Sequence, residues 1–463
     1  MLTYDTRERG TLPLYQYLYE RIKQDILSGT LTAGEKLPSR RSLAQHLRVS
    51  VMTVENAYAQ LVAEGYIRAV EKSGYYVNKV EMMQRAEKKA LPEPIEPTGE
   101  DVFLDFRTNY ISEENFPYAT LTRLMRAALS EKDGILRPLQ HNGVRELRLA
   151  IAKYLAEFRD IRISPEQIVI GAGTELLYNL IVQLLGRDKI YAVEDPGFRK
   201  IARIYELNGL RFRYVPVDRA GLSAEHLREE DTDVIHISPT HHYPTGVVMP
   251  IRRRQELLRW ASEKEGRYII EDDYDSEFRF AGHPIPPMLK FDTEGKVIYM
   301  NTFSKTIAPA LRVGYMILPT GLLETYREVM GFYACTVSGF EQYMLAKFIG
   351  EGYFERHINR MKTLYRIKRD AVIDAIQKSP FADRVTILEE NAGLHFLMRI
   401  RTDIPDGELV RRAAEKGLRI AFLSDYMHAP TPEDAHVMVV NYSGLDTDRL
   451  PEAILRLGEI LSK

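Results

Sequence analysis

The chain has a single cysteine, Cys335, in 463 residues, which excludes an internal disulfide framework and a thiolate zinc cluster. One thiol fits a protein kept in a reducing cytosol. No uninterrupted apolar stretch reaches the roughly 18 residues that a spanning helix needs, and no basic-then-apolar leader opens the sequence. A cytoplasmic location is expected. A strong charge of one sign is also missing, since 63 basic and 65 acidic residues leave a net charge of -2, which by itself names no partner. Nothing in the sequence points to a bound metal. What is present is an ordinary soluble composition, 45% apolar and 28% charged, over a length that suggests roughly two to four domains.

One segment breaks the composition. Residues 81–100 read EMMQRAEKKALPEPIEPTGE, and Pro92, Pro94 and Pro97 deny the backbone its helical hydrogen bonds, so this stretch is expected to be a linker. The expected organisation is a first unit over 1–80, the linker over 81–100, a large α/β unit over 101–344 and a small α+β unit over 345–463 that ends in a helix from Pro451.

Ahead of the linker, Leu14, Leu18, Ile22 and Ile26 give one apolar helical face that stops near Gly29. Ser39 can cap a second short helix carrying Leu43, Ala44 and Leu47. Arg48, Val49 and Ser50 make a turn, and a third helix is expected to hold Val54, Ala57, Tyr58, Leu61 and Val62 on its inner face. Tyr66 to Ala69 and Tyr75 to Val77 alternate as strands around Lys72, Ser73 and Gly74. This is the pattern of a winged helix-turn-helix.

Beyond the linker, β-rich runs alternate with helical stretches, the sign of a mainly parallel sheet with crossover helices. Five runs end in unusual residues: Ile168 to Ile170 before Gly171-Ala172-Gly173-Thr174, Lys189 to Val193 before Glu194-Asp195-Pro196-Gly197-Phe198, Val234 to Ser238 before Pro239 to Gly246, Tyr268 to Ile270 before Glu271-Asp272-Asp273-Tyr274, and Val297 to Met300 before Asn301-Thr302-Phe303-Ser304-Lys305. Ligands in open α/β sheets bind at the carboxyl ends of strands.

Those ends carry what pyridoxal 5'-phosphate demands. Lys305 supplies an amine for a Schiff base, and an acid at the end of Tyr268 to Asp272 can keep the ring nitrogen protonated. Gly173 and Thr174 open a helix whose unpaired N–H groups receive a phosphate, while Thr302, Ser304 and Arg312 add hydroxyls and a planar cation. Taken singly, each has a bland reading as a surface lysine, a helix cap or a loop acid. Their co-occurrence in this order carries the argument.

The runs Glu271 to Phe278, Thr302 to Tyr315 and Glu194 to Phe198, behind a winged helix, resemble the MocR-type (GabR-like) subfamily of GntR transcription regulators, whose second domain is a fold-type-I aminotransferase-like domain. The resemblance spans nearly the whole chain. It implies that Lys305 forms the Schiff base, Asp272 meets the pyridine nitrogen, Tyr274 contacts the ring hydroxyl and Phe198 stacks on the ring. Gly173, Thr174, Thr302, Ser304 and Arg312 would hold the phosphate. Two departures stand out. Tyr243 occupies the place of an asparagine in Asn-Pro-Thr-Gly, so Tyr243, His241 or His242 takes its part. Val439 occupies the place of the arginine with which transaminases grip a substrate carboxylate, so either Arg199 or Lys200 serves instead or the effector is not a simple amino acid.

In residues 1–80, eleven basic residues face eight acidic ones. Arg40 and Arg41 open the second helix where phosphates are met, Thr53 and Asn56 lie on the outward side of the third, and Arg68 and Lys72 belong to the wing. GntR proteins often carry an arginine after the serine that begins the recognition helix, and this chain has Val51 there. The expected function is a DNA-binding transcription regulator that senses an amino-acid-like compound, or pyridoxal phosphate itself, with a domain-swapped homodimer implied by the resemblance. The alternatives are a working aminotransferase with a DNA-binding appendage and a binding module without cofactor.

Overall fold

The structure, a computed structural model, describes residues 2–80, 102–109, 111, 113–131, 136–229, 231–280, 285–391 and 393–462. Its contacts divide the chain into Met1–Pro97 and Thr98–Lys463. The expected linker over 81–100 lies outside the described residues.

In the first unit, the helices Leu14–Leu27, Arg40–Leu47 and Val51–Ala63 precede an antiparallel hairpin of Ile67–Val70 and Gly74–Val77. Leu18, Ile22, Leu43, Val54, Ala57, Tyr58 and Leu61 are buried together. Ser39 and Ser50 cap the second and third helices by accepting from the N–H groups of Ser42 and Thr53 at 3.2 and 3.1 Å, worth about 1 kcal/mol each. Val62 is a correction: it is exposed rather than on the inner face. Eight residues past Val54 the helix has turned about 80° away from it, and Val54, Ala57, Tyr58 and Leu61 already fill that face.

The second unit is built on an eight-stranded sheet in the order Ile168–Gly171, Gly314–Ile317, Val297–Thr302, Tyr268–Asp272, Val234–Ile237, Ile190–Asp195, Arg211–Asp218, Gly221–Leu222. The run from Val297–Thr302 to Arg211–Asp218 is parallel throughout. Gly314–Ile317 is antiparallel to both its neighbours, which returns Ile168–Gly171 to the common direction. All five expected strand ends therefore lie along one edge. A three-stranded antiparallel sheet, Val385–Leu388, His395–Ile400 and Val437–Asn441, follows. The expected boundary at residue 345 falls inside the helix Gly339–Gly350, and one apolar core runs from Ile168 and Tyr299 to Phe396, Met438 and Leu457. Among the described residues no helix is long and apolar enough to cross a membrane.

Candidate functional site

A cavity of about 320 Å³ opens at the carboxyl edge of the large sheet. Lys305, Asp272, Tyr274, Thr174, Phe198, Tyr243, Thr302, Ser304 and Arg312 line it, together with Lys200. The strand Tyr268–Asp272 explains how three consecutive acids divide their work, because successive side chains point to opposite faces. Glu271 accepts from the N–H groups of Met288 and Leu289 at 2.7 and 3.0 Å. Asp273 is held by Arg159 at 2.9 Å, Thr240 at 2.7 Å and Tyr299 at 2.7 Å. Asp272 alone faces the cavity.

Burial holds the Lys305 ammonium below the usual lysine range; Lys200 pushes the same way and Asp275 opposes. The neutral amine is the nucleophile, so this environment suits attack on an aldehyde. Tyr178 donates to Asp272 Oδ2 at 2.5 Å, and His236 Nε2 lies 3.7 Å from that oxygen. Asp272 Oδ1 is buried with no hydrogen-bond partner among the described residues, and so is Ser304 Oγ. A protonated ring nitrogen at the first and a phosphate oxygen at the second would satisfy both, so the residues present fit pyridoxal phosphate.

Gly173, just before the cavity-lining Thr174, has a φ of 87° that admits no ordinary side chain. A Cβ there would overlap the Arg312 guanidinium, which places the loop backbone directly against that cation. The Ser304 N–H donates to Thr302 Oγ1 at 3.1 Å. Arg312 is not alone: Glu175 pairs with it and with Lys200 Nζ at 2.9 Å. Burial would raise the Glu175 carboxyl, but hydrogen bonds from Lys200, from backbone and from Arg312 hold it at about 2.

Of the two candidate effector cations, only Lys200 reaches this cavity. Arg199 lines a neighbouring cleft and donates to the Met427 carbonyl at 3.3 Å. Val439 is fully buried in an apolar cluster with Leu397 and Leu423, against Tyr243 and Tyr426, and the Tyr243 hydroxyl donates to that of Tyr426 at 2.9 Å. The sequence reading missed Tyr178, Arg107, Asn109 and Asn441, which also line the cavity. Tyr178 follows Thr174 by four residues on one helix, a spacing that shares a face and was legible. Asn109 donates to Asn441 Oδ1 at 2.6 Å across 332 residues of chain, which no local signal reveals.

In the first unit, Arg40 pairs with Glu55 of the recognition helix, while Arg41 is exposed. Asn56 is exposed, but Thr53 is half-buried with its hydroxyl 2.8 Å from Ser50 Oγ. Val51 and Met52, at the start of that helix, are 43% and 64% exposed, so its leading edge is apolar. In the wing, Arg68 donates to Asn78 Oδ1 at 3.0 Å, and Lys72 is exposed at a φ of 58°.

Comparison with known proteins agrees with both units. Residues 14–77 match the gntR family of bacterial regulatory proteins, and residues 109–429 match aminotransferase class I and II. The chain is 36% identical over 450 residues to the HTH-type transcriptional regulator YdeL of Bacillus subtilis, covering 96% of each. It is 32% identical over 463 residues to the probable rhizopine catabolism regulatory protein MocR of Rhizobium meliloti, covering 96% of this chain and 92% of the relative. Among solved structures, the kynurenine aminotransferase of Pyrococcus horikoshii is similar with a TM-score of 0.69 at 26% identity, covering 78% of this chain and 91% of that one.

Proposed function

The chain belongs to the MocR-type subfamily of GntR transcription regulators, and on that premise we propose that it is a pyridoxal 5'-phosphate-dependent regulator whose second unit senses a small molecule and whose first binds operator DNA. The observation that carries the cofactor assignment is the pair of unpartnered buried atoms, Asp272 Oδ1 and Ser304 Oγ, in one cavity with a lysine held below its usual range.

In this reading Lys305 would hold the cofactor covalently, Asp272 would keep the ring nitrogen charged, Tyr274 would donate to the ring oxygen, and Phe198 and Tyr243 would hold the ring. Gly173, Thr174, Thr302, Ser304 and Arg312 would hold the phosphate. When bound, the cofactor would supply an electrophilic carbon open to a primary amine. An effector that occupied the cavity beside Lys305 would change the balance between arrangements of the DNA-binding units. Operator and effector affinities are then coupled reciprocally. Arg41, Lys72 and Arg68 meet the DNA backbone, Arg40 stands beside them with its charge offset by Glu55, and Asn56 and Thr53 stand at the groove. A cytoplasmic head-to-tail homodimer, with each winged unit on the partner's large domain, suits the proline-rich stretch over 81–100.

Sensing is favoured over turnover by Val439. The place of the carboxylate arginine is sealed by Leu397, Leu423 and two tyrosines, so an α-amino acid lacks the grip that orients it for repeated proton transfers. The test adds pyridoxal phosphate to the full-length protein and follows the absorbance of the lysine-linked cofactor. The band is expected in the wild type and absent in Lys305→Ala. Turnover of an amino acid with 2-oxoglutarate at ordinary enzymatic rates would favour the aminotransferase instead.

A further inference from the structure

Tyr274 lines the cavity, and its hydroxyl lies 3.2 Å from His241 Nδ1. The same nitrogen lies 3.1 and 3.0 Å from the two carboxylate oxygens of Asp275. His241 and Asp275 are both buried, at 2% and 1% exposure. A carboxylate only accepts, so Nδ1 carries the proton and donates. Sharing that proton makes the Tyr274 oxygen an acceptor as well, and its own hydrogen is then left for a different partner.

Gly393 and His395 pack closely on the imidazole. A Cβ on Gly393 would overlap the His241 ring, and Gly393 has a φ of 71°. The His395 ring packs against that of His241 with centroids 4.8 Å apart. Its Nε2 donates to the Pro244 carbonyl at 3.0 Å, which leaves Nδ1 a bare lone pair. Burial, reinforced by His241, holds His395 well below the usual histidine range, so it packs as a neutral ring. His241, Asp275 and His395 bring one donor atom each to within 4.8 Å. That spread exceeds the edge of about 3.3 Å in a tetrahedral zinc shell, and the hydrogen-bond reading is the better fit. Among the described residues, Lys305, Glu389, His242, Tyr243, Asp272, Asp273, Tyr442 and Arg279 also face this cluster.

We propose that Asp275 and His241 form a positioning pair that fixes the Tyr274 hydroxyl as a hydrogen-bond donor into the cavity, towards the ring oxygen of the cofactor. The destination of that proton rests on the pyridoxal phosphate reading; the fixing of Tyr274 does not. A donor to the ring oxygen stabilises its anionic form, so losing the donor raises the pH at which the lysine-linked cofactor gives up its proton.

Two measurements on the full-length protein test this separately. In the cofactor-free protein, the Nδ1 proton should give a downfield proton resonance that His241→Asn and Asp275→Asn abolish and Tyr274→Phe displaces. A resonance that Tyr274→Phe leaves in place overturns the proposal, whatever the cofactor does. With pyridoxal phosphate bound, the absorbance midpoint should rise in Tyr274→Phe, and His241→Leu and Asp275→Asn should raise it by about one pH unit, a tenfold change in proton affinity. His241→Asn, which keeps an N–H near the Nδ1 position, should raise it less. A midpoint that moves in Tyr274→Phe but not in Asp275→Asn or His241→Leu contradicts the pair's role. If no lysine-linked band forms in the wild type, the cofactor reading fails and the resonance alone decides.

Discussion

Tyr178 donates its hydroxyl proton to Asp272 Oδ2 at 2.5 Å, tying the helix Thr174–Leu185 to the end of the strand Tyr268–Asp272. The link engages one carboxylate oxygen with protein and leaves the other for a ligand. Tyr178→Phe should therefore loosen the charged partner of the ring nitrogen. A lost hydrogen bond to a charged group is worth about 1.5–3 kcal/mol, so pyridoxal phosphate should bind roughly 10- to 150-fold more weakly in an equilibrium titration. An unchanged dissociation constant would show that Asp272 needs no such support.

Lys200 and Arg199 should separate cleanly. Lys200 lines the cavity and Arg199 does not. When the cofactor-loaded protein is titrated with a panel of amino acids and ω-amino acids, Lys200→Ala should weaken every spectral response, and Arg199→Ala should leave the responses as they are. The reverse pattern would move the effector into the neighbouring cleft.

The salt dependence of DNA binding reads the pairing of Arg40 with Glu55. Because Glu55 neutralises Arg40, Arg40→Ala alone should change the slope little, whereas Arg41→Ala should flatten the log–log plot by about one unit if Arg41 meets one phosphate. Glu55→Gln should steepen it by up to about one unit. Equal slopes for all three proteins would remove both arginines from the backbone contacts.

Glu194 gives a pH signature. Burial raises its carboxyl to about 8, against the N–H of Ser238, which lowers it, with Asp272 adding to the rise. The nearby His242, 3.4 Å away, is pushed down to about 3 by burial. Their contact is therefore between neutral groups at about pH 7. A folded value above the unfolded one means that the stability is present below about pH 4.5 and is lost as pH rises through about 8. The thermal midpoint of the wild type should fall between about pH 5 and about pH 8, and Glu194→Gln should flatten that decline. A parallel decline in both proteins would place its origin elsewhere.

Much of this architecture was legible because it is local. Leu18, Ile22 and Ile26 mark a helix by spacing alone, and Ser39 and Ser50 announce the next two by their caps. The strand ends at Gly171, Asp195, Ile237, Asp272 and Thr302 carry their chemistry in the following residues, so the crevice could be assembled before the sheet order was known. What escaped was set by distance along the chain. Arg107 and Asn109 join the cavity because Leu104–Asp105 pairs with Leu418–Arg419 and Asn109 meets Asn441. The pairing of Arg312 with Glu175 spans 137 residues and was equally hidden. Val62 failed for a different reason: an apolar residue at a helix end satisfied the periodicity loosely, while four better-placed residues had filled the face.

The central claim is that Lys305 and the DNA-binding unit belong to one switch, and operator affinity is its direct readout. The measurement compares binding of the full-length wild type and Lys305→Ala to a duplex selected by the wild type from a randomised pool, with and without pyridoxal phosphate. The cofactor should change wild-type affinity by about 5- to 150-fold and leave Lys305→Ala much less responsive, with both proteins still bound to DNA. Equal affinities for the wild type with and without cofactor, in a protein whose absorbance shows the cofactor bound, would contradict it.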